Sequence, residues 1–391
     1  MDAQKPLNIV CISPAPWDYP IWTNRQHIMK RLSAYNHVVY VFHPTLFRSS
    51  VKRICRNGKI TLIKNIDSNL CCFTPPIAPF SGRCPKIASA NIQISSYFLK
   101  KALKKNDIHD YILWFYDPEA VEYLDYLNPY FTCYDCVDEF AAMPSYQDSK
   151  KKTLLIEKER RLIQRSSIVF TTSKSLFASK KSLNPNTYLV ENVGDFEHFN
   201  IQANIKPPAP SDFPKGDSPV IGFSGAVDPY KIDFELISFL AEQRPNWRIV
   251  LIGGVTDSQK KDYQFPQNKN IYYLGRKEYG ELPLYLAYFD VCIIPYGIND
   301  YTQGVFPIKL FEYLATGKPV VTSSLPSLAK YSSYIRMSES KQKFLANIED
   351  VLTRDNDKEK QARIACASEN TWESRAERLI NHVHANIGNR R

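Results

Sequence analysis

Nowhere in the 391 residues do about 18 apolar residues run together, so no segment reads as a membrane-spanning helix. Residues 1–8 include Asp2, Lys5 and Pro6 and lack the apolar stretch of a signal peptide, which predicts a cytoplasmic protein. Glycine is scarce, at 14, and the 26 prolines form no repeat, which excludes collagen-like and low-complexity chains. The nine cysteines are odd in number and irregularly spaced. Cys133 and Cys136 make the only Cys-x-x-Cys, without the second pair that a zinc site needs, so reduced thiols that fill space are expected. The only Asp-x-Asp is Asp355-Asn-Asp357, in a polar stretch, so no metal site and no cofactor is predicted. No zinc spacing, RNP-like strand or basic heptad supports nucleic-acid binding.

Acid is missing from one region in particular. Between Leu46 and Lys105 stand twelve Lys and Arg residues against Asp67 alone, so this stretch carries +11 while the rest of the chain sums to −1. Such a patch is either a solvated face or a seat for a phosphate-rich partner, and residues 88–105, with Ile92, Ile94, Tyr97, Phe98, Leu99 and Leu103 ahead of four lysines, fit an amphipathic helix with a cationic end.

What is present is a βα rhythm. Short apolar, β-branched or aromatic runs fall at 7–13, 37–43, 111–116, 131–137, 167–172 and 187–190, and again at 219–224, 247–252, 270–274, 291–295 and 319–322. Helical stretches lie between them, the pattern of parallel α/β sheets. Residues 205–219 hold five prolines and no periodicity. The predicted organisation is therefore a doubly wound domain over 1–204, a linker over 205–218, a second doubly wound domain over 219–370, and a helix over 371–391 that crosses back to the first. Two such Rossmann-like domains place their ligand crevices at the carboxyl ends of the strands, facing each other across a cleft. In the first domain that brings Pro14 to Trp17, Asp117, Asp138, Ser173 and Asn192 into view.

The most specific segment is Asp300 to Val321. Pro307 suits the first turn of a helix and Gly317 its end, with Ile308, Phe311 and Leu314 on a face toward the sheet. Lys309 and Glu312 share another face near the N-terminus, where free amides and a lysine would seat a diphosphate and a carboxylate could accept ribose hydroxyls. The alternative is an exposed ion pair three residues apart, worth only tenths of a kcal/mol.

In order along the chain stand Trp17-Asp18 with Arg25-Gln26-His27, Tyr134-Asp-Cys-Val-Asp138, Val190-Glu-Asn192 with Asp195 to Phe199, Gly222 to Asp228, Gly275-Arg276, Ile294-Pro-Tyr296 and Lys309-Leu-Phe-Glu-Tyr-Leu-Ala-Thr-Gly-Lys-Pro-Val-Val321. With these motifs the sequence resembles the bacterial GT-B glycosyltransferases of polysaccharide biosynthesis, close to glycosyltransferase group 1 and related to exopolysaccharide glucuronosyltransferases. The resemblance implies a donor site in the second domain. There Arg276 and Lys277 lie beside the base, Tyr296 beside the donor, Lys309 at the phosphates and Glu312 at the ribose, while Gly225 and Val227 approach the sugar or its diphosphate. Asn24, Arg25 and His27 become acceptor or phosphate contacts, with helix capping and packing as the alternative.

One departure bears on stereochemistry. Retaining relatives often carry Glu-x7-Glu, and here Gly304 stands eight residues before Glu312. An inverting transfer with an aspartate base in the first domain is the resulting expectation. Asp138, at the mouth of the fourth strand, is the candidate; Asp135, on the opposite strand face, is the competitor, and a purely structural aspartate is the third possibility.

The expected reaction moves a sugar from a nucleotide diphosphate donor, UDP-linked, to a lipid-linked saccharide at the inner face of the membrane, with residues 46–105 on the anionic surface. A sugar-nucleotide epimerase of the same fold and a non-catalytic membrane-bound subunit of a polysaccharide assembly complex are the alternatives. A dinucleotide oxidoreductase fits poorly, because Gly222-Phe-Ser-Gly225 lacks the third fingerprint glycine.

Overall fold

The computed structural model describes residues 5–19, 22–42, 50–51, 54–56, 59–79, 85–146, 148–200, 208–255 and 265–388. The chain divides into two compact units, Met1–Val190 together with Ala376–Arg391, and Glu191–Arg375.

In the first unit the strands are β1 (Asn8–Ser13), β2 (His37–Phe42), β3 (Cys55–Arg56), β4 (Lys59–Ile60), β5 (Ile63–Asn65), β6 (Leu70–Phe73), β7 (Ile112–Phe115), β8 (Phe131–Cys136), β9 (Ile168–Thr171) and β10 (Thr187–Leu189). Eight of them form one sheet in the order β10-β9-β8-β7-β1-β2-β6-β5, and β3 and β4 pair separately. Every pairing in the large sheet is parallel except β5 with β6. The reason is visible in β7, Ile-Leu-Trp-Phe, which is buried from end to end: a strand covered on both faces reads as a near-continuous apolar run. The strand order reverses between β1 and β7, whose carboxyl ends are Ser13 and Phe115.

The second unit holds β11 (Val220–Ser224), β12 (Arg248–Ile252), β13 (Ile271–Tyr273), β14 (Val291–Ile294), β15 (Val320–Ser323) and β16 (Arg336–Ser338). They run parallel in the order β13-β12-β11-β14-β15-β16, reversing between β11 and β14. Both sheets are thus doubly wound, the architecture in which ligands bind beyond the carboxyl ends at the reversal.

All eleven expected strands are present, within two residues at either end. The strands β3, β4, β5, β6 and β16 were not foreseen. Two of the four residues of β6 are cysteines, and β16 is Arg-Met-Ser, so neither displays the β-branched run that marks a strand.

The domain limits need correcting. Residues 191–200 belong to the second unit and not, as the proline content suggests, to the first. Asn192 Nδ2 donates to Phe306 O at 2.8 Å, the His198 ring stacks on Tyr279 at 4.2 Å, and Asn200 Nδ2 donates to Ala315 O at 2.9 Å. Nor are residues 208–218 a bare spacer: Phe213 is buried, and Arg248 Nη1 donates to Pro214 O at 2.7 Å. Residues 201–207, the start of the expected linker, lie outside the described residues. The last helix, Trp372–Gly388, carries the chain back to the first unit, where the His382 ring lies 4.3 Å from that of Tyr188.

Candidate active site

In the second unit the site is built around the turn after β11. Gly225 N donates to Ile252 O at 2.8 Å, Val227 N to Gly254 O at 3.0 Å, and Gly253 N to Gly275 O at 2.8 Å, so the turns that follow β11, β12 and β13 are hydrogen-bonded in series. Gly253 has φ +150°, and a Cβ there would stand 1.6 Å from Gly225 O; only glycine allows this approach. The amides of Gly225 and Val227 are therefore already engaged, and the turn contributes its shape rather than those two N–H groups. Val227 is itself fully buried.

Against this turn lies the helix Lys309–Ala315, shorter than the expected 307–316 and buried on nearly every side rather than on one face. Leu310, Phe311, Glu312, Tyr313, Leu314 and Ala315 are all buried. Lys309 Nζ donates to Glu312 Oε2 at 2.6 Å, with the two side chains 20% and 7% exposed. This excludes the exposed-pair alternative, because a carboxylate so nearly sealed needs its partner. A Cβ placed on Gly225 would lie 3.4 Å from Lys309 Cε and 2.8 Å from the Phe223 ring, and the Tyr296 ring packs edge-on against Phe223 at 6.3 Å. Gly225, Tyr296, Lys309 and Glu312 are thereby brought together. Arg276 is exposed, while Lys277 forms an ion pair with Asp212 and covers the Tyr285 ring at 5.2 Å. The Lys277 head group is thus committed to the segment before β11.

Two residues of this site were not foreseen. Phe223 is the surface between Tyr296 and Gly225. The Tyr313 hydroxyl accepts from Ser224 N at 2.8 Å and donates to Ser224 O at 3.1 Å, fixing the end of β11 to the helix. In the sequence both read simply as apolar-periodic positions. Gly194 has a similar function on the other side: a Cβ there would stand 3.0 Å from Glu312 N, so the 191–195 segment packs directly on the first turn of the helix.

In the first unit, Asn24 and His27 are buried and Arg25 is half-buried, on the helix Asn24–Leu32. His27 Nδ1 lies 3.1 Å from Arg31 Nη1 and its ring meets Trp22 edge-on at 5.4 Å, contacts of the packing kind. Asn24 Oδ1 and Arg25 Nε are buried without a hydrogen-bond partner among the described residues, which leaves both able to meet a polar ligand. The Tyr40 hydroxyl lies 2.6 Å from Ser13 Oγ and donates to Ala15 O at 3.0 Å, shaping the loop after β1.

Two carboxylates stand past strand ends here. Asp138 is half-buried in the loop after β8, whereas its competitor Asp135 is wholly buried within the strand. Asp117 follows β7 at the reversal of strand order, is buried, and accepts from Glu119 N at 2.9 Å. Burial pushes its pKa up to about 6, against the Glu119 hydrogen bond and the charges of Lys158 and Arg25. Cys133 and Cys136 are buried, and burial holds both thiols well above the ordinary range. Among the described residues no three His, Cys, Asp or Glu side chains gather as a metal-ligand set.

Residues 209–367 match the family Glycosyl transferases group 1. TuaH of Bacillus subtilis (strain 168), named as a teichuronic acid biosynthesis glycosyltransferase, is 34% identical over 212 residues, 50% of this chain and 51% of TuaH. The chain thus spans about half the length of the curated relative it matches. Sucrose-phosphate synthase of Thermosynechococcus elongatus superposes with a TM-score of 0.72 at 14% identity, covering 98% of this chain and 99% of that one. HepE of Anabaena, in complex with UDP-glucose, gives 0.66 at 13% identity over 97% of this chain and 100% of its own. A group 1 match thus spans most of the second unit, and the two doubly wound sheets make the chain similar in fold to the GT-B glycosyltransferases.

Proposed function

We propose that this chain transfers a sugar from a UDP-sugar to a lipid-linked saccharide acceptor in the building of a cell-surface polysaccharide, with inversion at the anomeric carbon. The observation that carries the donor half is the nearly sealed Lys309–Glu312 pair beside Gly225, at the point where the strand order of the second unit reverses. HepE, bound to UDP-glucose, and TuaH, named for teichuronic acid biosynthesis, support the donor and the pathway class. In this reading Glu312 accepts the ribose hydroxyls and Lys309 neutralises the diphosphate as it departs, stabilising charge where it develops. Tyr296 flanks the sugar and Arg276 lies nearest the base.

Asp138 takes the proton from the acceptor hydroxyl as its oxygen attacks the anomeric carbon and the bond to the diphosphate breaks. Asn24 and Arg25 contact the acceptor or its phosphate through their unsatisfied atoms. The helix Pro85–Lys105 buries Ile92, Leu99 and Leu103 and turns Ile94 and Tyr97, 38% and 54% exposed, outward with Lys100, Lys101, Lys104 and Lys105. Lys101 Nζ lies 4.5 Å from the Tyr97 ring centre. An outward face of this kind suits the anionic inner surface of the membrane. Arg48, Lys52, Arg53 and Arg83 of the same basic stretch lie outside the described residues, and no helix among the described residues is long and apolar enough to cross a membrane.

Calorimetry with UDP is the test. Lys309→Ala and Glu312→Ala should each weaken binding by about tenfold or more, the size of a charge-assisted hydrogen bond, while the protein stays folded. Unchanged affinity in both would remove the donor assignment. Asp138→Asn should lower turnover by roughly 100-fold or more with UDP affinity unaltered, and NMR should show a product anomer opposite to that of the donor. Retention would overturn the inverting mechanism.

A further inference from the structure

Beneath the loop that carries Asp138 lies a group of buried polar side chains for which the transfer itself has no use. Lys180, on the helix Lys174–Lys181, donates to Glu159 Oε2 at 2.9 Å and to Glu139 Oε2 at 3.3 Å. Glu159, on the helix Ser149–Arg165, also accepts from the Tyr134 hydroxyl at 2.8 Å through Oε1. The single thiol proton of Cys136 has two acceptors in reach, Glu159 Oε1 at 3.5 Å and Asp138 O at 3.6 Å. Thr172, just past β9, donates from Oγ1 to Val137 O at 2.9 Å.

These contacts converge on three consecutive residues. The Val137 carbonyl is held by Thr172, the Asp138 carbonyl is within reach of Cys136, and the Glu139 carboxylate is held by Lys180. Two helices and two strand ends are tied to one loop. Removing Lys180 and Glu159 from water is costly, and an apolar filling would stabilise the fold at least as well. The arrangement is therefore better explained by the position it imposes than by the stability it adds.

We infer that Lys180, Glu159, Cys136 and Thr172 are positioning residues that hold the Asp138 carboxylate where it meets the acceptor hydroxyl. This rests on the reading of Asp138 as the base. Burial works against the charge on Lys180, but the Cys136, Glu159 and Glu139 side chains outweigh it and keep the ammonium charged above the ordinary lysine range, so the grip persists at any working pH.

A double-mutant design tests this with the full chain. UDP release from UDP-glucose, UDP-glucuronate or UDP-N-acetylglucosamine, in the presence of a bacterial membrane extract, is measured for Thr172→Val and Glu159→Gln, each in the wild-type and the Asp138→Asn background. Thermal melts and UDP affinity are recorded alongside. The expected result is a loss of about tenfold in kcat for each variant, unaltered UDP affinity, partial rescue when Lys180→Arg replaces a Lys180→Met substitution, and no further loss once Asp138 is already Asn. An equal factor in both backgrounds, or normal kcat in both variants, overturns the inference alone. Near-normal turnover of Asp138→Asn overturns the reading of the base and the inference with it. Thr172→Val removes only one hydroxyl, so it decides the matter if Glu159→Gln fails to fold.

Discussion

The two units hold the same chemistry, a lysine against a glutamate, in opposite ways. In the second unit Lys309 and Glu312 sit three residues apart on one short helix, beside a glycine turn, with the lysine one-fifth exposed. In the first unit Lys180 and Glu159 come from different helices, 21 residues apart in sequence, and both are 7% exposed. An ion pair that keeps one partner in touch with solvent can exchange that partner for a ligand's charge. A sealed pair cannot, and serves only the groups around it. Accessibility, rather than residue type, separates the pair proposed to bind the donor from the pair proposed to position Asp138.

Breaking the sealed pair should give the largest effect. Lys180→Met leaves the buried Glu159 without its cation and should cost about 3–5 kcal/mol of unfolding free energy in urea titration. A loss below 1 kcal/mol would show that the pair is open to water. Next comes Asp117. Its folded pKa lies above the unfolded value of 3.8, so the contribution of its protonated form is fully present below about pH 4 and is lost as pH rises through about 6. Asp117→Asn keeps a side-chain acceptor for Glu119 N and should therefore stabilise the chain by up to about 3 kcal/mol at pH 8 and by almost nothing at pH 4. Equal effects at both pH values would mean that the carboxyl is not desolvated.

Smaller again is the cost to the fold of Lys309→Ala, about 1–2 kcal/mol, because the lysine retains part of its hydration while UDP affinity falls. The smallest effect on stability, within about 0.5 kcal/mol, belongs to replacing Lys100, Lys101, Lys104 and Lys105 by Gln. The same variant should nonetheless lose salt-sensitive binding to vesicles that contain anionic lipid. Equal binding of the wild type to neutral vesicles would reduce that face to a solvated one.

The sequence by itself determined the two parallel sheets, because a strand buried on both faces is near-continuously apolar and such runs stand out against helical spacing: β7 and β14 are wholly of this kind, and β8 and β11 nearly so. It also determined the Lys309–Glu312 pairing, since residues three apart on a helix are neighbours whatever else the chain does. Only the tertiary structure decided how far that pair is buried, because the cover comes from remote segments such as Gly194 and Gly225. The same holds for the domain limit, where hydrogen bonds from Asn192 and Asn200 outweigh the prolines that follow, and for Lys277, drawn to Asp212 sixty-five residues away. His27 is drawn into packing by Trp22 and Arg31. The Lys180–Glu159 cluster and the raised pKa of Asp117 belong to this second class as well. Desolvation is a property of everything that surrounds a group, and local spacing carries no record of it.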